Sequence, residues 1–230
     1  MAIIDRKARL LYFLAPGTGS SALEKYFLNS LKSKRLPEYR EENGRSVLEH
    51  PNSKLNIDPK HCTYNDLVSN NLLTEEEQTY LRVCSVRNPY DYWYAEWYRR
   101  RTRFVHLLKQ PGSWIYNSRY SVNITVDSCT LSFAEWIKKI MTPKLNDNWK
   151  GFLHDEYVNH SHEFIRMENM TEDLHRILKL QNYQSEVSYH VKKYNVTQRT
   201  REYWREYDSE SRDLIANLYS PHLERFNYNF

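Results

Sequence analysis

The sequence predicts an α/β fold in which a mainly parallel sheet is flanked by helices. Two segments carry this prediction, because each joins a short apolar run to an abrupt turn and then to a helix pattern. The first segment covers residues 10–23, and the second covers residues 80–103. A third apolar run at residues 163–168 precedes another helix pattern. Strands that alternate with helices pair in parallel, so the loops after them meet at one edge of the sheet.

Length and composition indicate one globular domain spanning residues 1–230. Of the 230 residues, 40% are hydrophobic and 27% are charged, which suits a protein with a buried core. The formal net charge of +4 suits an anionic ligand. It falls short of the charge typical of a dedicated nucleic-acid binder, so we expect no nucleic-acid partner.

The cysteines and the beginning of the chain bear on location. Cys62, Cys84 and Cys129 are widely spaced and form no metal-ligand pattern, so we expect a reducing compartment and no metal site. The chain begins almost directly on the first predicted strand, which leaves no room for a signal peptide. No stretch has the length of a membrane span. We therefore expect a cytoplasmic protein without a membrane partner, and the oligomeric state stays open.

The first strand-loop-helix segment has the pattern of a phosphate-binding loop. Residues 10–14 predict a buried strand, which ends at Pro16, Gly17 and Gly19. Ser21 and Glu24 have the spacing of a capping box that begins a helix. A helix N-terminus presents unpaired backbone N–H groups to an anion. The alternative is an ordinary turn between a strand and a helix, which the segment taken alone favours slightly.

The next elements are shorter. Residues 32–56 are charged and broken by prolines and a glycine, so they predict a surface connection with a short strand at 46–49. Thr63 and Thr74 are typical N-caps of two short helices. Residues 80–87 predict a strand, and residues 90–103 predict a helix rich in aromatic residues and arginine.

The second half contains one segment that suits an insertion. Residues 103–132 contain Pro111-Gly112 and several aromatics, which is typical of a lid or an acceptor-binding segment. The remaining patterns predict helices at 133–141, 171–180 and 202–219 and a basic loop at 189–201.

Taken together, the two strand-loop-helix segments resemble the sulfotransferase family that uses 3′-phosphoadenosine-5′-phosphosulfate (PAPS). Pro16-Gly-Thr-Gly-Ser-Ser-Ala-Leu resembles the loop that holds the 5′-phosphosulfate, and Val86-Arg-Asn-Pro-Tyr-Asp resembles the more specific 3′-phosphate motif. Weaker similarities at residues 60–67, 164–174 and 219–230 extend the match over nearly the whole chain. The resemblance implies the family's fold, a P-loop-like three-layer sandwich with a central, mainly parallel sheet.

The resemblance also implies which residues hold PAPS and its product PAP. The backbone N–H groups of the loop, with the hydroxyls of Thr18, Ser20 and Ser21, would bind the 5′-phosphosulfate. Arg87 would bind the 3′-phosphate, with a surface ion pair as the alternative. Arg199 and Arg201 lie in a segment that resembles a late loop closing over the nucleotide, although a solvated charge run explains them nearly as well. The implied cofactor site therefore comprises Pro16, Gly17, Thr18, Gly19, Ser20, Ser21, Ala22, Arg87, Arg199 and Arg201.

The chain departs from the family pattern at two positions. The lysine that usually follows the loop proline, and that is assigned to the leaving oxygen, is Gly17 here. The serine expected eight residues after the arginine is Ala95. Either another cation replaces the lysine, or the loop amides act alone, or the chain binds PAPS without efficient turnover. The candidate cations are Arg6, Lys7, Lys25 and Arg199.

Transfer to an alcohol requires a general base. His61 is the first choice, because it lies in a segment that resembles the family and an imidazole titrates near neutrality. A role in capping the next helix is an equal alternative. The other candidates are His50, His154 and Glu168.

Aromatic side chains are the candidates for acceptor binding, namely Trp93, Trp97, Trp114 and Tyr116. One face of the helix that carries Trp93 and Trp97 must pack in the core. We expect sulfuryl transfer from PAPS to a hydroxyl or amine of a small molecule, for instance a polar alkaloid of bacterial secondary metabolism. The alternatives are a nucleotide-dependent kinase with a degenerate phosphate loop and a sulfotransferase-like protein that binds PAP or PAPS without catalysis.

Overall fold

The computed structural model describes residues 2–42, 45–48, 59–183, 191 and 202–230. Within these residues the strands are β1 (Ala2–Asp5), β2 (Leu10–Phe13), β3 (Lys34–Leu36), β4 (Tyr39–Glu42), β5 (Arg45–Leu48), β6 (Leu81–Val86) and β7 (Glu163–Arg166). The α-helices are α1 (Ser20–Asn29), α2 (Tyr64–Ser69), α3 (Glu75–Gln78), α4 (Pro89–Arg99), α5 (Arg119–Thr130), α6 (Phe133–Asn146), α7 (Asp155–Val158), α8 (Met170–Leu180), α9 (Ser209–Leu218) and α10 (Ser220–Phe226). A π-helix spans Arg100–Phe104, and 3₁₀ turns span Val105–Lys109, Met167–Asn169 and Tyr203–Glu206.

The described residues form two compact units. The first, here called the sheet unit, is drawn from Met1–Arg87 and His154–Asn195. The second, the helical unit, is drawn from Asn88–Leu153 and Val196–Phe230. All seven described strands belong to the sheet unit, together with α1, α2, α3, α7 and α8.

The main sheet has five strands in the order β3-β1-β2-β6-β7. β2 pairs in parallel with β6, and β6 pairs in parallel with β7, whereas β1 pairs antiparallel with both β2 and β3. The register sets Phe13 opposite Cys84 and Val86 opposite Arg166. The segments that follow β2, β6 and β7 therefore begin at the same edge of the sheet. The α/β prediction is confirmed, with a mixed sheet that is parallel in its central strands.

Helices cover both faces of this sheet. Tyr12 stacks on Phe27 of α1 with ring centroids 5.0 Å apart, and α1 and α8 share one buried cluster with that face. Phe13 points the other way, because successive strand residues alternate, and it meets the ring of Tyr64 at the start of α2. α7 packs against β6. Each large side chain buried in this way stabilises the fold by about 1.5–3 kcal/mol.

The helical unit has an aromatic core. Trp136 of α6 is fully buried, and Phe133 lies 4.6 Å from the ring of Tyr207. Leu214 and Leu218 on α9 close this cluster. The spacing of the apolar positions on α6 and α9 gives each helix one buried face.

Two predictions about strands need correction. β1 was not predicted, and the charged segment at 32–56 contains β3, β4 and β5 where a surface connection with one short strand was predicted. Among the described strands β3 pairs with β1 alone, at the edge of the sheet, so it carries Lys34 and Arg35 and lacks an apolar signature.

The final helix also differs from the prediction. One helix was predicted at 202–219, but α9 begins at Ser209 because Asp208 caps it through a capping box with Ser211. A second helix, α10, follows with Pro221 in its first turn. The capped helices predicted after Thr63 and Thr74 are confirmed. None of the described helices combines the length and the apolar character that crossing a membrane requires.

Candidate functional site

The segment between β2 and α1 is a tight loop at the carboxyl edge of the sheet. β2 ends at Phe13 and α1 begins at Ser20. Gly17 has φ 73° and Gly19 has φ 83°, both in the left-handed region that favours glycine. Alternation of such residues along a chain turns successive N–H groups toward one side and forms an anion-binding concavity.

The N-terminus of α1 carries no side-chain cap. Its N-cap residue is Gly19, with no side-chain hydrogen bond to the first turn. The capping box predicted for Ser21 and Glu24 is wrong, because Ser21 already lies inside the helix and Glu24 forms an ion pair of 2.9 Å with Arg35. The positive end of the helix dipole therefore faces the loop without a carboxylate or hydroxyl cap from the chain itself.

Gly19 is held against two methionines from the segment after β7. A Cβ atom at this position would lie 2.3 Å from Cε of Met170 and 3.6 Å from Cγ of Met167. The left-handed backbone therefore selects glycine here, and a Cβ atom would also require the end of the Met170 side chain to move. The sequence pattern predicted a role for the glycine in the loop but did not predict its contact with the methionines, which lie about 150 positions away.

Below the loop lies a chain of buried hydroxyl groups. Tyr12 donates to Oγ of Ser85 at 2.9 Å, Ser85 forms a short hydrogen bond with Thr18, and Thr18 donates to the carbonyl of Ala15 at 2.7 Å. Burial raises the pKa of Tyr12, so its hydroxyl stays protonated and donates. The hydroxyl of Thr18 donates its one hydrogen to Ala15, and its predicted role as a donor to the ligand stays a prediction.

Arg87 follows directly after β6 and reaches under the loop. Its Nη1 atom donates to the carbonyl oxygen of Gly17 at 2.8 Å, and its side chain is only 5% exposed. The structure therefore brings together Arg87 and the loop, the two elements that the sequence singled out. Its predicted contact with a 3′-phosphate stays a prediction.

His154 reaches the same loop from the segment before α7. Its Nε2 atom lies 2.8 Å from the carbonyl oxygen of Pro16. A carbonyl oxygen only accepts hydrogen bonds, so this ring nitrogen carries a hydrogen and donates. His154 lies 138 positions from Pro16, and sequence reasoning had offered it only as a reserve base.

Comparison with known families decides the assignment of the chain. A sequence model of the sulfotransferase family matches residues 1–229. The chain belongs to the sulfotransferase family. No curated protein and no solved structure matches it in sequence.

His61 of this sulfotransferase lies in the sheet unit with an exposed side chain. Its carbonyl oxygen accepts a hydrogen bond of 2.7 Å from the hydroxyl of Tyr157. α7 therefore connects the segment of His61, through Tyr157, with the loop, through His154 at its N-cap. The role of His61 as a base stays a prediction.

The cations proposed to replace the loop lysine are not equally placed. Arg6 and Lys7 lie in the turn before β2, at the opposite end of that strand from the loop. Arg6 is paired with Glu77 at 2.7 Å, and Lys7 lies over the ring of Tyr183. Both are therefore unsuited to the role. Lys25 is exposed on α1, in the second turn of the helix after the loop.

The predicted acceptor residues lie in the helical unit. Trp97 is 6% exposed and packs on Tyr94 and Phe133, so core packing alone accounts for it. Trp93 is half-buried, whereas Trp114 and Tyr116 are about half exposed, at 53% and 50%. Within the predicted insertion at 103–132 the sulfotransferase forms the end of the π-helix, a 3₁₀ turn and α5.

Some predicted residues fall outside the part of the chain that the structure describes. These are His50, Arg199 and Arg201, with most of the predicted loop at 189–201. Ala95, which replaces a family serine, is buried in α4. Among the described residues no cluster of His, Cys, Asp or Glu has the arrangement of a metal site.

Proposed function

We propose that the chain is a PAPS-dependent sulfotransferase that transfers a sulfuryl group to a hydroxyl or amine of a small molecule. The observation that carries the proposal is the loop of residues 14–19. In a chain of this family it combines two left-handed glycines, an uncapped helix N-terminus and a buried arginine beneath it. Each of these features favours a bound anion.

The residues present fit a phosphosulfate group. The N–H groups at the start of α1 offer donors, and no side chain caps them. Arg87 adds a positive charge under the loop, where the low exposure of its side chain strengthens its field. We propose that Arg87 selects PAPS by attraction to its phosphates, including the 3′-phosphate.

Bound PAPS supplies an activated sulfuryl group whose leaving group is a phosphate oxygen. His61 would accept the proton of the acceptor hydroxyl as the new bond between that oxygen and sulfur forms. The bond between sulfur and the bridging oxygen would break at the same time, and PAP would leave with the electron pair. The loop amides and Arg87 would stabilise the negative charge that develops on PAP.

The nature of the acceptor is proposed from the aromatic residues. Trp114 and Tyr116 present large exposed rings in the helical unit, which suit a flat or cationic small molecule. We propose a metabolite such as a polar alkaloid of bacterial secondary metabolism, sulfated in the cytoplasm.

Thermal unfolding with nucleotides tests the donor. At a hundred times its Kd, PAP should raise Tm by about 5–10 °C, and AMP and ATP at equal concentration should raise it much less. Arg87→Ala should remove the preference for PAP. Arg82→Ala is the matched control, because Arg82 lies at the other end of the same strand, where it donates to the carbonyl of His160 at 2.6 Å.

Equal stabilisation by PAP, AMP and ATP would contradict the proposal. Magnesium-dependent transfer from ATP would favour the kinase alternative. If PAP binds tightly but PAPS is not turned over with any acceptor in a broad panel, the non-catalytic alternative stands and the proposed activity fails.

A further inference from the structure

Two consecutive carbonyl groups of the phosphate-binding loop are bound by basic side chains of the sheet unit. The carbonyl of Pro16 accepts from His154 at 2.8 Å, and the carbonyl of Gly17 accepts from Arg87 at 2.8 Å. Both partners come from segments distant in sequence. A loop built to bind an anion must keep its carbonyl oxygens away from that anion, because they carry partial negative charge.

The geometry of the peptide bond turns these contacts into an orientation of N–H groups. The bonds from Pro16 to Gly17 and from Gly17 to Thr18 are trans. In a planar trans peptide the C=O and N–H bonds point in opposite directions. A carbonyl held by His154 therefore fixes the direction of the Gly17 N–H, and a carbonyl held by Arg87 fixes the direction of the Thr18 N–H.

His154 has an unusual backbone for this contact. Its φ of 65° and ψ of 59° are left-handed, which is uncommon outside glycine and concentrates at functional positions. Its Nδ1 atom lies 3.9 Å from Oε1 of Glu156, so a protonated ring would form an ion pair with that carboxylate. Among the described residues, the ring of Tyr157 lies 6.2 Å from the ring of His154, and Arg87 donates to the neighbouring carbonyl.

Gly17 itself leaves no simple place for the family lysine. Its φ is 73°, a backbone conformation that is unfavourable for a residue with a side chain. We infer that His154 is a positioning residue that, with Arg87, orients the loop amides and supplies positive charge next to position 17 in place of that lysine. The inference rests on the proposed donor site.

Calorimetric binding of PAP from pH 5.5 to 8.5 tests this role. His154→Ala should weaken PAP binding about tenfold at pH 6, because a charge-assisted hydrogen bond to the loop is lost. His154→Asn accepts the left-handed backbone but is shorter, so it should weaken binding as much while keeping the fold. His154→Gln retains an N–H donor and should recover part of the affinity.

The pH dependence separates charge from shape. The ratio of Kd for His154→Gln to Kd for the unmodified protein should rise as pH falls from 8 to 6, because the imidazole becomes a cation and the amide does not. Titration of the ligand phosphates cancels in this ratio. His175→Gln, an exposed histidine on α8 of the same unit, is the control and should show a ratio near one throughout.

Two results overturn the inference while leaving the proposed donor intact. One is PAP affinity that is unchanged in His154→Ala and His154→Asn. The other is a Gln ratio that stays constant across the pH range. Absence of PAP binding by the unmodified protein would instead refute the proposed function, and the inference with it.

Discussion

The buried hydroxyl groups next to the phosphate-binding loop and the aromatic core of the helical unit differ in how fully their buried polar groups are hydrogen-bonded. Next to the loop, one chain of hydrogen bonds joins the hydroxyl groups of Tyr12, Ser85 and Thr18 and ends on a backbone carbonyl. In the helical unit, the indole nitrogens of Trp93 and Trp97 are buried without a hydrogen-bond partner among the described residues. A buried donor left in this way costs about 1–3 kcal/mol.

The difference follows from what each region has to do. A loop that binds an anion through backbone N–H groups needs a fixed orientation, and a fully satisfied hydroxyl chain provides it. An aromatic core mainly needs volume and tolerates an unsatisfied indole in exchange for the burial of a large ring. Substitutions in the loop should therefore change ligand binding, whereas substitutions in the aromatic core should change stability alone.

The largest effect is expected at Gly19. Gly19→Ala forces a Cβ atom onto Met170 and a left-handed backbone onto alanine, so PAP affinity should fall about a hundredfold through the loss of two charge-assisted hydrogen bonds. Gly112→Ala is the control, because Gly112 has a φ of 85° but is exposed. Both variants should lose about 1–2 kcal/mol of stability. Calorimetry that finds normal PAP affinity in Gly19→Ala would contradict the expectation that substitutions in the loop change ligand binding.

A smaller effect is expected at the hydroxyl chain. Ser85→Ala leaves the buried hydroxyl of Tyr12 without its acceptor and should lower the free energy of unfolding by about 1–3 kcal/mol. Adding Tyr12→Phe should restore part of the loss, since the orphaned group is then gone. Ser128→Ala in the helical unit is the control and should cost under about 1 kcal/mol, because Ser128 only donates to a carbonyl of its own helix. Urea denaturation that finds equal losses would show that the hydroxyl chain has no special role.

Two tryptophans of the helical unit provide the next comparison. Trp136 donates to the carbonyl of Ile124 at 2.9 Å, whereas the indole nitrogen of Trp97 has no such partner. Trp97→Phe should therefore cost about 1 kcal/mol less than Trp136→Phe. The same denaturation experiment measures both, and a larger loss in Trp97→Phe would contradict the account.

The smallest effect concerns acid stability at the N-terminus of α9. Hydrogen bonds from the Ser211 side chain and backbone, with Lys138 nearby, lower the pKa of Asp208 from 3.8 to about 2. Stability from this carboxylate is therefore present above pH 3.8 and is lost as pH falls toward 2. Asp208→Asn keeps a capping side chain but should flatten the decline of Tm between pH 5 and 2. Equal slopes in both proteins would show that Asp208 contributes nothing to acid stability.

Local patterns in the sequence were enough to predict the elements that build the site. The glycines after β2 and the caps at Thr63 and Thr74 act through residues a few positions away, and Arg87 directly follows a predicted strand. A strand that ends at a glycine turn leaves the same signature wherever it occurs.

Other features depend on contacts between distant segments. The contact of His154 with Pro16 joins residues 138 positions apart, and Ser85 meets Thr18 across 67 positions. β3 is an edge strand, and its charged residues give it the sequence pattern of a surface loop. The capping-box pattern at Ser21 failed because the N-cap is Gly19, so the helix begins two residues earlier than that pattern predicted. No local pattern carries this information.

A structure of the protein with PAP bound would show directly whether this loop holds the donor. The 5′-phosphate should lie within about 3 Å of the N–H groups of residues 17–22, with the carbonyls of Pro16 and Gly17 still bound by His154 and Arg87. PAP bound away from this loop, or a 5′-phosphate that contacts side chains alone, would contradict it.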